Sequence, residues 1–184
     1  MADIPVYLIA GFLDGGKTEF INGILEDGFA REDKTLLICC EEGDTEYDPE
    51  LLKKTNTILV NVESMDEISP ERLTELELLH NPERVLMEWN GMWNQDELRL
   101  PKDWEVYQQI TIIDGSTFDL YVKNMKPLLG AMVRNSELII CNRCDDVEDL
   151  EGYRRTLLAM NNQAEIVFED AEGEISEISE ADLP

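Results

Sequence analysis

The feature that most constrains the fold of this chain is a series of short apolar runs separated by segments with helical periodicity. The runs lie at 4–10, 34–40, 56–61, 84–89, 107–114, 137–142 and 164–169. Several are apolar throughout, which is typical of strands covered on both faces of a sheet. Because strands that alternate with helices are joined by right-handed crossovers, the pattern predicts an α/β fold with a mostly parallel central sheet.

Helical stripes occupy the intervals between these runs. Apolar residues recur at spacings of three and four in 20–25, 118–125 and 147–160. Pro70 is predicted to lie in the first turn of a helix that continues to His80, and Pro127 interrupts the stripe that begins at 118. Helices on both faces of the sheet would give a three-layer sandwich.

The first apolar run leads directly into GFLDGGKT at 11–18, which matches G-x-x-x-x-G-K-[ST] between a strand and a helix. In that context the pattern predicts the phosphate-binding loop of a P-loop NTPase. Gly15 and Gly16 let the backbone approach phosphate, Lys17 reaches the β- and γ-phosphates, and the Thr18 hydroxyl binds Mg²⁺. The predicted nucleotide-binding residues here are Gly11, Asp14, Gly15, Gly16, Lys17, Thr18 and Glu19.

Asp14 places an anionic side chain in the middle of this loop. Since the loop binds phosphate through backbone amides, the Asp14 carboxylate is predicted to point away, toward solvent or a partner surface. The alternative is that it acts on a cation or on the attacking water near the γ-phosphate.

A second element follows the apolar run at 84–89. Glu88 ends that run and Gly91 comes three positions later. A strand-end carboxylate here is typical of the acid that holds Mg²⁺ or its waters, and the Gly91 amide could sense the γ-phosphate. The alternative is a solvated strand-end glutamate.

A third element, Asn142-Arg143-Cys144-Asp145, follows the run at 137–142 and is similar to the N-K-x-D motif that reads guanine in GTPases. The Asp145 carboxylate could accept two hydrogen bonds from guanine, which adenine does not offer on that edge. Asn142 would bridge the base and the phosphate loop, and the Arg143 stem would lie across the base. The alternative is a polar turn in which Asp145 caps the next helix.

Taken in order over roughly 4–175, these elements resemble the CobW-like branch of the metallochaperone GTPases, relatives of the urease and hydrogenase nickel-insertion GTPases. The resemblance implies binding of GTP and GDP, Mg²⁺-dependent hydrolysis, and coupling to metal delivery. It also maps Glu41, Gly43 and Asp48 onto the family's segment after the second strand, where Glu41 would help to bind Mg²⁺ or to order water.

The cysteines depart from the family pattern. The family's C-x-C-C metal motif should fall around 61–69, which contains no cysteine. Cys39 and Cys40 lie earlier, and the pair at 141 and 144 supplies only two of the roughly four ligands of a thiolate Zn²⁺ site. The sequence therefore predicts that no C-x-C-C-type site is present.

Net charge restricts the partners. The 184 residues carry 41 Asp and Glu against 15 Lys and Arg, a formal charge of -26. Such a chain repels nucleic acid and anionic membranes.

No basic region precedes the first apolar run, and no run approaches the roughly 20 residues that span a bilayer, so a cytoplasmic protein without membrane insertion is expected. We expect a GTPase domain at 1–172 and an acidic tail, or the start of a linker to a further domain, at 173–184.

The leading hypothesis is a GTPase that hydrolyses GTP slowly and switches a partner protein or a metal-recipient target, with a nucleotide-dependent dimer as a further expectation. Its predicted catalytic residues are Lys17, Glu41 and Glu88; its predicted metal-holding residues are Thr18, Glu41 and Glu88; its predicted base and γ-phosphate contacts are Gly91, Asn142, Arg143 and Asp145. The alternatives are a P-loop kinase for a small molecule and a non-hydrolysing nucleotide-binding module.

Overall fold

One sheet organises the computed structural model, which describes residues 3–29, 32–41 and 46–175. Within these ranges strands and helices alternate along the chain. The strands are β1 (Ile4–Ala10), β2 (Thr35–Cys39), β3 (Thr57–Asn61), β4 (Arg84–Glu88), β5 (Trp104–Asp114), β6 (Leu138–Asn142) and β7 (Glu165–Phe168). The α-helices are α1 (Lys17–Glu26), α2 (Pro49–Lys54), α3 (Pro70–His80), α4 (Phe118–Asn124), α5 (Lys126–Arg134) and α6 (Leu150–Met160).

The strand order is β3-β2-β4-β1-β5-β6-β7, and every neighbouring pair in this sheet is parallel. The prediction of an α/β P-loop NTPase fold is therefore confirmed, and the sheet is fully parallel. Because the strands run in one direction, their carboxyl ends meet at one edge. The register places Cys39 beside Glu88 and Asp114 beside Asn142. Ligands of open α/β sheets bind at this edge, where the chain reverses its direction of winding.

The core lies on both faces of the sheet, because successive side chains of a strand point to opposite faces. In β2, Leu36 and Ile38 join one buried cluster, while Leu37 joins a second cluster together with Ile21 and Leu25 of α1. All five side chains are fully buried. The three-layer arrangement explains why central strands such as β2, which is buried at every position, are mostly apolar.

Several boundaries differ from the prediction. The strand β5 begins at Trp104 rather than at 107, and α6 begins at Leu150 because the Asp149 side chain accepts a hydrogen bond from the Gly152 amide and caps it. Two helices, α2 and α5, were not anticipated as separate elements. Pro127 lies in the first turn of α5, so it starts a new helix where it ends the apolar stripe of α4.

Beyond β7 the chain returns once to the sheet edge, where Glu169 forms an isolated antiparallel bridge with Ile175. The boundary at 172 stays a prediction, and most of the predicted tail, 176–184, lies outside the described residues. Within the described ranges no helix has the length and apolar character needed to cross a bilayer.

Candidate nucleotide-binding site

The phosphate loop connects the central strand β1 to α1 at the carboxyl edge of the sheet. Gly16 has φ of 100°, a left-handed conformation that favours glycine, and it is the residue at which α1 starts. The Gly15 amide donates to the Phe12 carbonyl over 3.1 Å and closes the turn. The first-turn amides of a helix have no partner inside the helix, so this end of α1 offers donors to an anion.

Lys17 is held inside the loop. Its side chain is 2% exposed, and Nζ donates to the carbonyls of Gly11 over 2.9 Å and Phe12 over 2.7 Å. The ammonium also forms an ion pair with the Glu41 carboxylate. Burial raises the pKa of Glu41, and the attraction to Lys17 opposes that rise. Glu41 therefore holds the cation that phosphate oxygens would need, and the two anions would compete for Lys17.

Glu88 and Thr18, two predicted metal-holding residues, are brought together. Thr18 Oγ1 donates to Glu88 Oε1 over 2.8 Å, and Glu88 is 2% exposed. No lysine or arginine in the described part of the chain forms an ion pair with Glu88. A hydroxyl and a carboxylate are oxygen ligands of the kind that Mg²⁺ prefers, so these two residues fit a divalent ion.

The remaining ligands of such an ion would have to come from elsewhere. Across 3–29, 32–41 and 46–175, no three His, Cys, Asp or Glu side chains converge in a way that could hold a metal. Mg²⁺ in nucleotide sites is held by one or two protein groups together with phosphate oxygens and water. The site therefore suits Mg²⁺ that arrives with a nucleotide better than a free-standing metal centre.

Gly91 lies directly against the phosphate loop. A Cβ at this position would come within 2.4 Å of the Gly11 carbonyl oxygen and 3.0 Å of Phe12 Cα. The loop after β4 thus packs on the phosphate loop backbone to backbone, and the γ-phosphate contact of Gly91 stays a prediction. On the other side, the Phe12 ring stacks on Tyr121 with 3.9 Å between ring centroids.

Asn142 links the predicted base site to the phosphate loop. Its Nδ2 donates to the Gly15 carbonyl over 2.8 Å, while its Oδ1 is buried and has no hydrogen-bond partner among the described residues. A buried acceptor without a partner carries a desolvation cost of about 1–3 kcal/mol, which a donor on a ligand would remove. Asn142 lines a cavity of about 650 Å³ together with Gly16, Phe20 and the loop after β7.

The Arg143 guanidinium is directed at the phosphate loop. It donates to the Asp14 carbonyl over 2.7 Å and to Asp114 Oδ2 over 2.8 Å, and it lies 3.5 Å from a carboxylate oxygen of Glu19. The sequence anticipated only that its stem would cross the base. The structure adds that Arg143 ties the loop after β6 to the phosphate loop and to the end of β5.

Asp145 is exposed, and its Oδ2 accepts a hydrogen bond from the Ala171 amide over 2.9 Å. Its base-reading role stays a prediction. The alternative in which Asp145 caps the following helix is wrong, because Asp149 caps α6.

The Asp14 side chain is exposed, in keeping with the predicted outward orientation. Gly43, which the family resemblance placed in the segment after β2, lies outside the described residues.

All four cysteines are buried free thiols. Burial is the largest cause that raises the pKa of Cys39 to about 12 and that of Cys144 to about 11. These groups are therefore neutral near pH 7. The Cys39 sulfur lies 3.0 Å from the Glu41 carbonyl oxygen and 3.4 Å from Glu88 Oε2, so its one S–H hydrogen has two acceptors within reach and the thiol belongs to the surroundings of the strand-end acid.

Sequence reasoning missed two residues of the site. Asp114 ends β5 and pairs with Arg143; its position after an apolar strand was a usable signal. Tyr47 donates its hydroxyl hydrogen to Glu88 Oε2. The only sequence signal for Tyr47 is a single aromatic residue within an acidic segment.

The fold recurs in solved structures. The hydrogenase maturation factor HypB from Archaeoglobus fulgidus superposes with a TM-score of 0.65 at 17% identity, covering 92% of this chain and 82% of that one. Zn(II)-bound YjiA GTPase from E. coli gives 0.65 at 19%, covering 90% and 57%. HypB from Helicobacter pylori in complex with nickel gives 0.57 at 14%, covering 92% and 80%. At these identities the likeness establishes the fold alone.

No curated protein sequence matches the chain. The family model described as CobW/HypB/UreG, nucleotide-binding domain, matches residues 5–168, which span the phosphate loop, the strand-end acid and the loop after β6. The match thus covers every element of the site assembled above, and this chain belongs to the CobW/HypB/UreG family, whose nucleotide-binding domain it carries.

Proposed function

We propose that this domain binds GTP and GDP and hydrolyses GTP slowly in the presence of Mg²⁺, acting as a nucleotide switch linked to metal delivery or to a partner protein. The observation that carries the proposal is the hydrogen bond between Thr18 of the phosphate loop and the buried Glu88 carboxylate at the end of β4. The solved structures that resemble the chain include a GTPase with Zn(II) and a hydrogenase maturation factor with nickel, which supports the link to metal delivery.

In this mechanism the chain binds and orients the triphosphate. Loop amides and Lys17 hold the β- and γ-phosphates, and Lys17 exchanges Glu41 for phosphate oxygens. Thr18 and Glu88 would hold Mg²⁺, which would neutralise charge that develops on the phosphate oxygens. Glu41, released from Lys17, can then accept a hydrogen bond from the attacking water.

Slow hydrolysis of GTP is expected from the positions of the arginine side chains. An arginine finger supplies about 10³–10⁵ in rate. Arg143 is engaged by Asp114 and by the Asp14 carbonyl on the base side of the loop, and the ion pairs of Arg72, Arg84, Arg134 and Arg155 are made with carboxylates outside the phosphate loop. A partner that contributes such a group would accelerate the reaction.

The switch would act through the loops that contact the phosphates. Two exposed apolar side chains lie on them, Leu13 at 46% and Met92 at 54% exposure. They give a partner protein, or a second copy in a nucleotide-dependent dimer, a surface that responds to the nucleotide.

Isothermal titration with GTP, GDP and ATP, with and without Mg²⁺, tests the proposal. We expect guanine nucleotides to bind at least about tenfold tighter than ATP, since unpaired site groups penalise adenine. Lys17→Ala should abolish most triphosphate affinity, and Thr18→Ala should weaken binding mainly when Mg²⁺ is present. Product analysis should show GDP and inorganic phosphate.

Asp145→Asn is the control for base recognition, because an amide should favour xanthine over guanine nucleotides. Equal affinity for ATP would contradict the role of 142–145. Normal GTP binding by Lys17→Ala would contradict the phosphate loop, and transfer of phosphate to a small molecule would favour the kinase alternative.

A further inference from the structure

Both oxygens of the Glu88 carboxylate are already occupied by donors. Thr18 donates to Oε1 over 2.8 Å, and the Tyr47 hydroxyl donates to Oε2, which Cys39 also approaches. These donors are neutral, and Glu88 is 2% exposed. Tyr47 therefore helps to stabilise a buried carboxylate that forms no ion pair with a lysine or arginine among the described residues.

Hydrogen bonds fix the chain on both sides of Tyr47. On its N-terminal side, the Glu46 carbonyl accepts a hydrogen bond from Asn22 Nδ2 of α1 over 3.5 Å. On its C-terminal side, the Asp48 side chain caps α2 by accepting from the Glu50 amide over 2.9 Å. The Tyr47 ring packs on the buried cluster that contains Leu51. Tyr47 is thus the residue directly before the Asp48 cap of α2.

The two bonds to Glu88 differ in what happens when a divalent ion arrives. Thr18 can coordinate an ion through a lone pair of Oγ1 and still donate its hydrogen to Oε1. Mg²⁺ keeps several of its waters, which need acceptors among the surrounding protein groups. A carboxylate oxygen has about two lone-pair sites, and Oε2 already has the Tyr47 hydroxyl as its short donor and the Cys39 thiol at 3.4 Å. A metal-bound water that donates to Oε2 therefore competes with the Tyr47 hydroxyl for that oxygen.

We propose that Tyr47 is a latch whose hydroxyl takes the place of a metal-bound water on Glu88, so that binding of Mg²⁺ with nucleotide releases Tyr47 and shifts the start of α2. The proposal rests on the proposed nucleotide function. It makes Tyr47 a positioning residue that sets the affinity for Mg²⁺ and reports metal loading to the segment at 46–52. Burial and the neighbouring Glu88 carboxylate raise the pKa of Tyr47, so the hydroxyl stays a donor at neutral pH.

The first test compares wild type and Tyr47→Phe as GDP complexes. Mg²⁺ is titrated and followed by tryptophan fluorescence, since Trp89 adjoins Glu88 in the chain, and Mn²⁺ is titrated in parallel by electron paramagnetic resonance. Tyr47→Phe should bind either ion about three- to tenfold tighter, the effect of removing one competing hydrogen bond. The metal-free, nucleotide-free variant should melt at a lower temperature, because Glu88 loses a donor.

The matched control is Tyr153→Phe. Tyr153 also donates its hydroxyl hydrogen to a carboxylate, Asp119 Oδ2, over 3.2 Å, but it lies on α6 away from Glu88. This variant should leave the affinity for Mg²⁺ unchanged. Unchanged or weaker Mg²⁺ binding by Tyr47→Phe, with GDP still bound, would overturn the latch and leave the proposed function standing. Absence of GDP binding by wild type, with and without Mg²⁺, would overturn the proposed function itself.

The second test measures the coupling to α2 by hydrogen exchange. In wild type, adding Mg²⁺ to the GDP complex should speed exchange of the Glu50 amide and its neighbours in the first turn of α2. In Tyr47→Phe, exchange there should already be fast without Mg²⁺. Exchange that is equally slow in all four states would show that Tyr47 is not coupled to metal loading.

Discussion

Asp14, at the tip of the phosphate loop, has φ of 55°, a left-handed conformation that few residues adopt. Aspartate tolerates it better than most, because its short polar side chain can satisfy local donors. The Asp14 carbonyl accepts the hydrogen bond from Arg143, whose own φ of 52° is also left-handed. The backbone of Asp14 therefore shapes the loop, while its exposed carboxylate is not needed for that purpose.

Replacing Asp14 by glycine should tighten nucleotide binding modestly. At about 6–8 Å and an effective dielectric of about 40–80, each repulsion between the carboxylate and a phosphate charge costs about 0.5–1.4 kcal/mol. Calorimetry should therefore show less than about a tenfold gain in GTP affinity, with hydrolysis at saturating GTP unchanged.

Asp14→Asn is the control, because it keeps a residue that tolerates the left-handed conformation and removes only the charge. A hydrolysis rate reduced tenfold or more, at preserved GTP affinity, would instead assign the carboxylate to the chemistry.

At the scale of the elements, cysteine thiols lie at the ends of two strands that border the site. Cys39 ends β2, and Cys141 lies near the end of β6, close to Cys144 in the loop that follows. They are buried beside carboxylates or backbone groups, which favours the neutral thiol. Thiol chemistry should therefore be suppressed as long as the sheet is folded.

Alkylation with iodoacetamide at pH 8 should be on the order of 100-fold slower for the folded protein than for free cysteine, whose pKa is about 8.5. The pKa of Cys144, about 11, leaves only about a thousandth of it as thiolate at that pH. Mass spectrometry over time gives the rates, and the urea-unfolded chain, in which all four cysteines should react, is the control. Rapid labelling of one thiol in the native state would contradict this account.

The raised pKa of the buried Cys39 thiol also determines the direction in which pH changes the stability of the fold. The folded pKa of Cys39 lies near 12, well above that of a cysteine in the unfolded chain, so the folded state binds the proton more tightly. The resulting stabilisation is complete below about pH 9 and is lost as the pH rises toward the folded value. Urea midpoints should accordingly fall above about pH 9, and a Cys39→Ser variant should show a smaller fall.

How much could be predicted differs among the elements. The seven strands were predictable because burial on both faces leaves little but apolar residues in them. The helix α2 was not, since its six residues, PELLKK, are too few to display a period. In the site, the phosphate loop and Glu88 follow a local pattern. The contacts of Tyr47 and Asp114 depend on which strands become neighbours, and no spacing along the chain contains that information.

At the scale of the molecule, the formal charge of -26 makes the folded state repel itself. Raising the ionic strength from about 0.01 M to about 0.1 M shortens the screening length from about 30 Å to about 10 Å. Two consequences should be measurable: a higher melting temperature, and faster association of the anionic nucleotide in stopped-flow fluorescence. A site dominated by basic residues would show slower association instead.

Choline chloride at the same ionic strength is the control for specific binding of sodium. A melting temperature that is insensitive to both salts would show that the acidic side chains are too widely separated to repel one another appreciably.

The contact between the phosphate loop and the loop after β4 also limits how this domain can change during evolution. At Gly91 the two backbones meet with no room for a single added carbon atom, since a Cβ there would come 2.4 Å from the Gly11 carbonyl oxygen. Gly11 packs as closely on β5, where its Cβ would come 2.4 Å from the Ile112 carbonyl oxygen. No substitution at either position can be relieved by choosing another rotamer, because the obstruction is main chain. A lineage descended from this protein can vary the exposed Leu13 side chain, and can vary Asp14 among residues that tolerate its left-handed φ of 55°, whereas the two glycines can be lost only together with the loop architecture that surrounds them.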